Sequence, residues 1–295
     1  MSWTVEDLRR LDAKFAKDGV HMHQRPFRAA VELLGPGFRI GVGANPEVKK
    51  ITDAYRAMLP EAQDSWPGMG IGLAVSMDRV RKMVLPVVFG SHNGPLDIAG
   101  PLAFDSPEDW WHWCREDRAI AAESYFAFAD LFDFAYGVDD VRDREPQAQT
   151  LWRMAGSNLS DAANALPAAF GVDSLLQPIC MVAELSLKAA LVFNGADPNE
   201  FKGPKGHDVP GLADRLSAEA PHREDIKVAE IIRQLPPYVK SRYAPAGLTR
   251  LRVARLALAV QFVAAATVRR FSRQRDLASQ METGGWPAPR PPFFP

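Results

Sequence analysis

Apolar positions in the second half of the chain recur every three or four residues, the spacing of helices that bury one face. A charged stretch that ends in a proline-containing segment, residues 138–147, separates these positions from the first half. Beyond this boundary the spacing predicts five helices, over residues 148–166, 175–193, 209–218, 225–239 and 248–275. The sequence therefore predicts a helical bundle over residues 148–275.

The stretch before this boundary has a clear helix start at Ser106 and Pro107, a capping hydroxyl followed by a proline suited to the first helical position. From there the apolar spacing predicts one connecting helix over residues 106–137. Its acidic side chains recur every seven residues and so share one face. They are Asp109, Glu116, Glu123 and Asp130. His112 lies near this face, but a Glu-x-x-His pairing repeated on two helices is absent, so no metal site is predicted.

The first 105 residues show weaker patterns. Helical spacing is interrupted at residues 21–26 and 35–43, and the apolar runs FRIGVG, IGLAVSM and MVLPVVFG fit short strands. These runs predict an N-terminal α+β region over residues 1–105, to which the sequence assigns no function. Residues 276–295 are rich in proline and form a tail that is either loose or docked through its aromatic side chains. The predicted fold class is mainly α.

The composition is that of a globular protein, with 47% hydrophobic and 24% charged residues. Cys114 and Cys180 lie in apolar surroundings, which predicts buried free thiols and no disulfide framework. The first residues are charged and lack the apolar core of a signal peptide. The longest nearly apolar run, residues 256–268, is too short to cross a bilayer. We therefore expect a cytoplasmic protein that does not enter a membrane.

A net charge of −1 conceals two blocks of opposite sign. Residues 231–275 contain ten basic side chains and no acidic one, whereas residues 105–145 contain twelve acidic and four basic side chains. Such blocks can attract each other or bind separate partners. The basic C-terminal helix is thus a candidate surface for RNA or for an acidic protein, and the acidic helix is a candidate surface for another protein. The acidic helix of the same chain is an equal candidate as the binding partner of the basic helix.

A pair of charged residues stands out in the bundle because its surroundings are apolar. Glu184 and Lys188 share a helix face among leucine, valine and alanine, so at least their aliphatic stems are buried. Burying unpaired ions costs several kcal/mol, so further polar groups should converge on this pair. The candidates near predicted helix starts are His207, Asp208, Arg242 and Tyr243. The resulting network either fixes the register between helices or forms a polar pocket for a nucleotide or phosphate.

The order of these motifs resembles the HEPN superfamily, a group of four- or five-helix bundles. The resemblance covers residues 148–275. It begins with Asn158-Leu159 and Ala162-Ala163 on the first helix and continues with ELSLKAAL, KGHDVPGL and LPPYVKSRYAP, followed by a long alanine-rich helix. It carries the family's polar positions over in this order: Glu184 and Lys188 on the second helix, His207 and Asp208 at the start of the third, and Arg242 with Tyr243 before the last. It implies binding of a nucleotide, RNA or protein partner without catalysis, in a bacterial toxin-antitoxin or defence system.

Many proteins of this superfamily are metal-independent endoribonucleases that use an arginine and, after a short spacer, a histidine. Arg215 and His222, separated by LSAEAP, are the one such pair here, and the resemblance then also implies a homodimer that pairs two motifs. Leu216 and Pro221 depart from the family pattern, and the pair precedes the fourth helix. Three hypotheses stay open: non-catalytic binding, RNA cleavage through Arg215 and His222, and a purely structural role. No cofactor and no metal are predicted.

Overall fold

The computed structural model describes residues 3–41, 43–64, 68–87, 96–141, 143–237, 246–272, 276–285 and 287–294. The chain is mainly helical and divides into two compact units, Met1–Pro67 and Gly68–Pro295. The boundary at residue 67 differs from the predicted boundary at residue 105. The predicted N-terminal region is therefore split between the two units.

All regular secondary structure in the described residues of the first unit is helical. Its helices are α1 (Val5–Lys17), α2 (Arg25–Leu34), α3 (Pro46–Met58) and the short α4 (Glu61–Asp64). A core of its own buries Leu8, Phe15, Ile51 and Tyr55. The predicted strand FRIGVG does not form in the described residues, because Gly41 and Gly43 adopt positive φ angles of 80° and 78° and turn the chain. The predicted α+β character is thus absent from this unit as described.

The second unit begins with an antiparallel hairpin of β1 (Gly70–Ser76) and β2 (Arg79–Leu85), in which Gly70 pairs with Leu85. The runs IGLAVSM and MVLPVVFG predicted these strands, although β2 ends before Pro86, which has no N–H to donate. At Leu73, a side chain forms hydrogen bonds with the backbone of β1. The Gln261 amide accepts from the Leu73 N–H at 2.9 Å and donates to the Leu73 carbonyl at 3.3 Å.

The single helix predicted over residues 106–137 is two helices, α5 (Pro107–Trp113) and α6 (Arg118–Asp140). Arg115 and Glu116 adopt positive φ angles of 60° and 56°, and Asp117 caps a new helix by accepting from the Ala119 and Ile120 N–H groups. Helix α6 is also not a connector. Its apolar face, including Phe128 and Leu131, belongs to the main core of the second unit.

The helices of the predicted bundle begin within two residues of the predicted starts, but the helix predicted over residues 225–239 ends at Ile232. The remaining described helices are α7 (Pro146–Ala165), α8 (Leu176–Phe193), α9 (Val209–Glu219), α10 (Asp225–Ile232), α11 (Arg250–Arg269) and, inside the predicted tail, α12 (Leu277–Gly284). Helices α6, α7, α8 and α11 contribute most of the core. Helix α11 begins after the Thr249 cap and ends at Arg269, short of the predicted residue 275.

Among the described residues, two helical stretches are long and apolar enough to cross a membrane, Asp173–Phe193 and Arg250–Arg269. In each of them 83% of the most apolar window is buried inside the protein. That degree of burial is typical of core helices, because their apolar side chains pack against other helices.

Candidate functional site

Three of the predicted polar residues meet around one buried carboxylate. Glu184 on α8 is 1% exposed, and the Lys188 ammonium one turn later donates to its Oε1 at 2.7 Å. Nδ1 of His207 lies 3.1 Å from Oε1 and 3.2 Å from Oε2 of the same carboxylate. Because a carboxylate only accepts, this ring nitrogen carries the proton. The segment before α9 thus returns an imidazole to a buried ion pair on α8.

The other predicted members take different places. Asp208 caps α9, since its Oδ1 accepts from the Gly211 N–H at 3.2 Å. Its carboxylate therefore fixes the helix start next to His207. Arg242 and Tyr243 lie outside the described residues, so their part in the network stays a prediction.

A tight turn brings His207 to this position. Residues Pro198–Phe201 and Pro204–His207 form two short 3₁₀ turns between α8 and α9. A Cβ on Gly206 would lie 1.9 Å from the carbonyl oxygen of Phe201. Only glycine lets the two turns approach this closely, because any side chain would collide with the backbone.

A cleft of about 330 Å³ opens beside the ion pair, between α7, α8 and the first of these turns. Its described lining is Gln147, Thr150, Leu151, Leu185, Lys188, Pro198, Phe201 and Lys202. The volume is in the range of small-molecule sites. This lining combines two lysines and a threonine with apolar residues that include Phe201, and its described residues include no carboxylate. The arrangement suits an anion joined to a flat apolar group.

Lysine 188 has donors to spare for such an anion. Its ammonium carries three N–H groups, of which one is given to Glu184. Within the described part of the chain, this contact with Glu184 is both its hydrogen bond and its ion pair. Lys202 also lines the cleft and is exposed to solvent. Sequence patterns did not indicate Lys202, Phe201 or Thr150, because nothing in a loop sequence shows which helices it will cross.

The predicted ribonuclease pair is held by other contacts. Arg215 donates to Glu219 at 2.6 Å and to Glu200 at 2.8 Å, and these bonds raise its pKa. The His222 side chain is 13% exposed. Burial and the nearby guanidinium of Arg270 lower the pKa of His222 to about 4. His222 is thus neutral and weakly basic at pH 7, and neither residue lines the cleft. RNA cleavage through this pair stays a prediction.

A buried charge network joins α6 to α11, and the sequence did not indicate which side chains form it. The Arg269 side chain is fully buried, and its guanidinium donates to Asp130 at 2.5 Å, to Asp133 at 2.8 Å and to Glu224 at 3.0 Å. The three carboxylates outweigh burial and raise the pKa of Arg269. Arg255 pairs with Glu123 in the same interface. Arg255 and Arg269 of the basic block therefore pair with the acidic helix α6 of the same chain. This helix was one of the candidate partners that the sequence left open.

Comparison of the chain with protein-family models, with curated proteins and with solved structures found no match. The HEPN resemblance therefore depends on the motifs of this chain alone. Among the described residues, no group of three or more histidine, cysteine, aspartate or glutamate side chains is arranged to hold a metal ion.

Proposed function

We propose that the second unit is a HEPN-like bundle that binds a nucleotide in the cleft beside Lys188, without catalysing a reaction on it. The observation that carries this proposal is the lining of the cleft, in which Lys188 and Lys202 stand next to the apolar wall of Leu151, Leu185 and Phe201. A phosphate and a base need these two surfaces side by side.

Each part of a nucleotide has a partner in this cleft. The ammonium groups of Lys188 and Lys202 are donors for a phosphate, and charge-assisted hydrogen bonds of this kind are the strong ones. The Phe201 ring offers a surface on which a base can stack, which is worth about 1–3 kcal/mol per base. The terminal phosphorylated nucleotide of an RNA has the same groups, so it fits the same site.

The lining also explains why we propose binding alone. Its described residues include no histidine, carboxylate or thiol that could move a proton. His207, the nearest imidazole in the network, is engaged with Glu184. A role in a toxin-antitoxin or defence system and a homodimer follow only from the HEPN resemblance, and both stay predictions.

The test is titration calorimetry of the full chain with adenosine 5′-monophosphate. Inorganic phosphate and adenosine serve as separate probes of the two halves of the site. We expect the nucleotide to bind more tightly than either half, and Lys202→Ala to weaken it about tenfold, as loss of one hydrogen bond to a charged group implies. A short RNA with a 5′-phosphate should compete, and the same RNA without the phosphate should not.

The matched control is Lys227→Ala, which removes a half-exposed lysine that does not line the cleft. It should leave the affinity unchanged. Equal weakening by both lysine changes would show a general charge effect and no site. Absence of nucleotide binding by the folded wild-type chain would contradict the proposal outright.

A further inference from the structure

The C-terminal segment, residues 287–294, packs against α6 and α11, and Arg290 is the centre of this contact. The Arg290 side chain is 4% exposed. Its guanidinium donates to Asp130 through both terminal nitrogens, at 2.8 Å and 2.9 Å, and through Nε to Glu282 at 3.2 Å. The guanidinium carbon lies 4.4 Å from the centre of the Phe126 ring and 4.9 Å from that of Phe262. This is a fitted guanidinium site with a carboxylate fork and aromatic walls.

Side chains alone attach this segment to the body. Among the described residues 287–294, the hydrogen bonds all come from the Arg290 guanidinium. Four prolines in this segment have no N–H to give. The second contact is apolar, because the Phe293 ring packs 5.3 Å from that of Phe262 and is 8% exposed. The segment is thus bound in the manner of a proline-rich peptide ligand.

The surface of α6 and α11 beneath the segment, here called the wall, contains one hydrogen-bond acceptor without a donor among the described residues. A small void of about 10 Å³ separates them, and its lining includes Glu123, Leu258 and Pro291. Oε1 of Glu123 pairs with Arg255, whereas Oε2 is buried without a hydrogen-bond partner in the described structure. The docked tail therefore leaves one polar atom of the described wall without a partner.

We propose that this wall of α6 and α11 is a docking site for a proline-rich peptide of another protein that presents an arginine and, three residues later, an aromatic ring. The chain's own Arg290 and Phe293 have this spacing and fill the site in cis. The tail is therefore a built-in competitor, and a partner binds by displacing it. The site is independent of the nucleotide cleft, which lies on α7, α8 and the turn after α8.

The experiment uses a fluorescein-labelled peptide with the sequence of residues 284–295, GGWPAPRPPFFP, and the full chain. Arg290→Ala removes the competing guanidinium and leaves the wall intact. Phe293→Ala removes the aromatic contact of the tail, and Asp130 still pairs with both Arg269 and Arg290. This second variant is used if Arg290→Ala folds poorly. Circular dichroism confirms folding before each anisotropy titration.

We expect the peptide to bind at least one of these variants at least tenfold more tightly than it binds the wild-type chain, in which the tail competes. A peptide with lysine in place of arginine should bind at least tenfold more weakly, because an ammonium cannot form the bidentate pair. Failure of saturable binding to every folded chain, wild type included, would overturn the proposal. Equal binding of the two peptides would overturn it as well, since it would indicate charge attraction without a guanidinium site.

Discussion

At the scale of single residues, Glu184 is the centre of the candidate site. One carboxylate, 1% exposed, accepts from the Lys188 ammonium and from the His207 ring. A buried charge is tolerated only when such partners satisfy it. The same carboxylate holds Lys188 at the wall of the cleft, where its remaining donors are available to an anion.

Removing one member of this pair should cost more than removing both. Lys188→Met leaves a buried carboxylate without its ammonium, and we expect the free energy of unfolding to fall by about 3 kcal/mol. The double change Lys188→Met with Glu184→Leu removes both buried charges of the pair, and the side chain of its described partner His207 is 51% exposed. Urea unfolding should therefore find the double variant more stable than the single one. Equal losses of unfolding free energy in the two variants would show that Lys188 and Glu184 are not energetically coupled.

The pH dependence of stability should report on His222. Burial, with the Arg270 and Arg223 guanidiniums, lowers its pKa from 6.5 to about 4 in the folded state. Below pH 6.5 the unfolded chain binds a proton that the folded chain refuses, so stability is lost as pH falls through this window. We expect a loss of about 3 kcal/mol between pH 7 and pH 4 that is absent from His222→Gln. Urea unfolding at several pH values measures it, and identical profiles would refute the assignment.

Residue types and spacing predicted the centre of the site but not its surroundings. Glu184, Lys188 and His207 were predictable because an ion pair among apolar positions requires partners, and a histidine next to a helix cap is one. Lys202 and Phe201 were not, because periodicity carries no information on the path of a loop. Arg269 was also missed, since its partners Asp130 and Asp133 lie more than one hundred residues away in sequence.

At the scale of helices and strands, capping residues decide most boundaries. Thr249 and Asp208 begin α11 and α9, close to where the apolar spacing predicted these helices. Asp117 is a capping residue that the sequence patterns did not predict. Its carboxylate accepts hydrogen bonds from two backbone N–H groups and so begins α6. The apolar spacing of this stretch indicated one continuous helix.

Close packing between the hairpin and the bundle should be sensitive to one added methyl group. A Cβ on Gly72 would lie 2.4 Å from Oε1 of Gln261 and 3.0 Å from the Leu131 side chain. We expect Gly72→Ala to lower the free energy of unfolding by about 1–3 kcal/mol through overpacking. Gly171→Ala is the control, because nothing lies within 4 Å of its added carbon. Thermal unfolding compares the two, and equal melting temperatures would contradict this packing.

At the scale of the whole molecule, the position of the hairpin explains why the predicted unit boundary differs from the observed one. Its apolar runs follow the N-terminal helices in sequence, which suggested one α+β region. A two-stranded hairpin is marginal alone and needs a surface to pack on. Here α6, α7 and α11 supply that surface, and Gln261 lies 188 residues from Leu73. Local patterns thus predicted a mainly α chain and the bundle, but not this long-range pairing.

The second unit should fold and bind without the first. Its described core begins with Met69 and Ile71 and includes no earlier residue, and the described lining of the cleft lies within residues 147–202. We expect residues 68–295, produced alone, to keep their helical circular dichroism and to bind adenosine 5′-monophosphate within about twofold of the full chain. A chain that is unfolded, or folded without this affinity, would show that the first unit completes the site.

The central claim is that a nucleotide lies between the two lysines and the apolar wall of the cleft. The most direct measurement is a crystal structure of the full chain grown with saturating 8-bromoadenosine 5′-monophosphate, in which anomalous scattering locates the bromine. We predict a bromine peak against Phe201 and Leu185, with the phosphate within hydrogen-bonding distance of Lys188 and Lys202. A bromine peak elsewhere on the chain, or an empty cleft at saturating nucleotide, would contradict the claim.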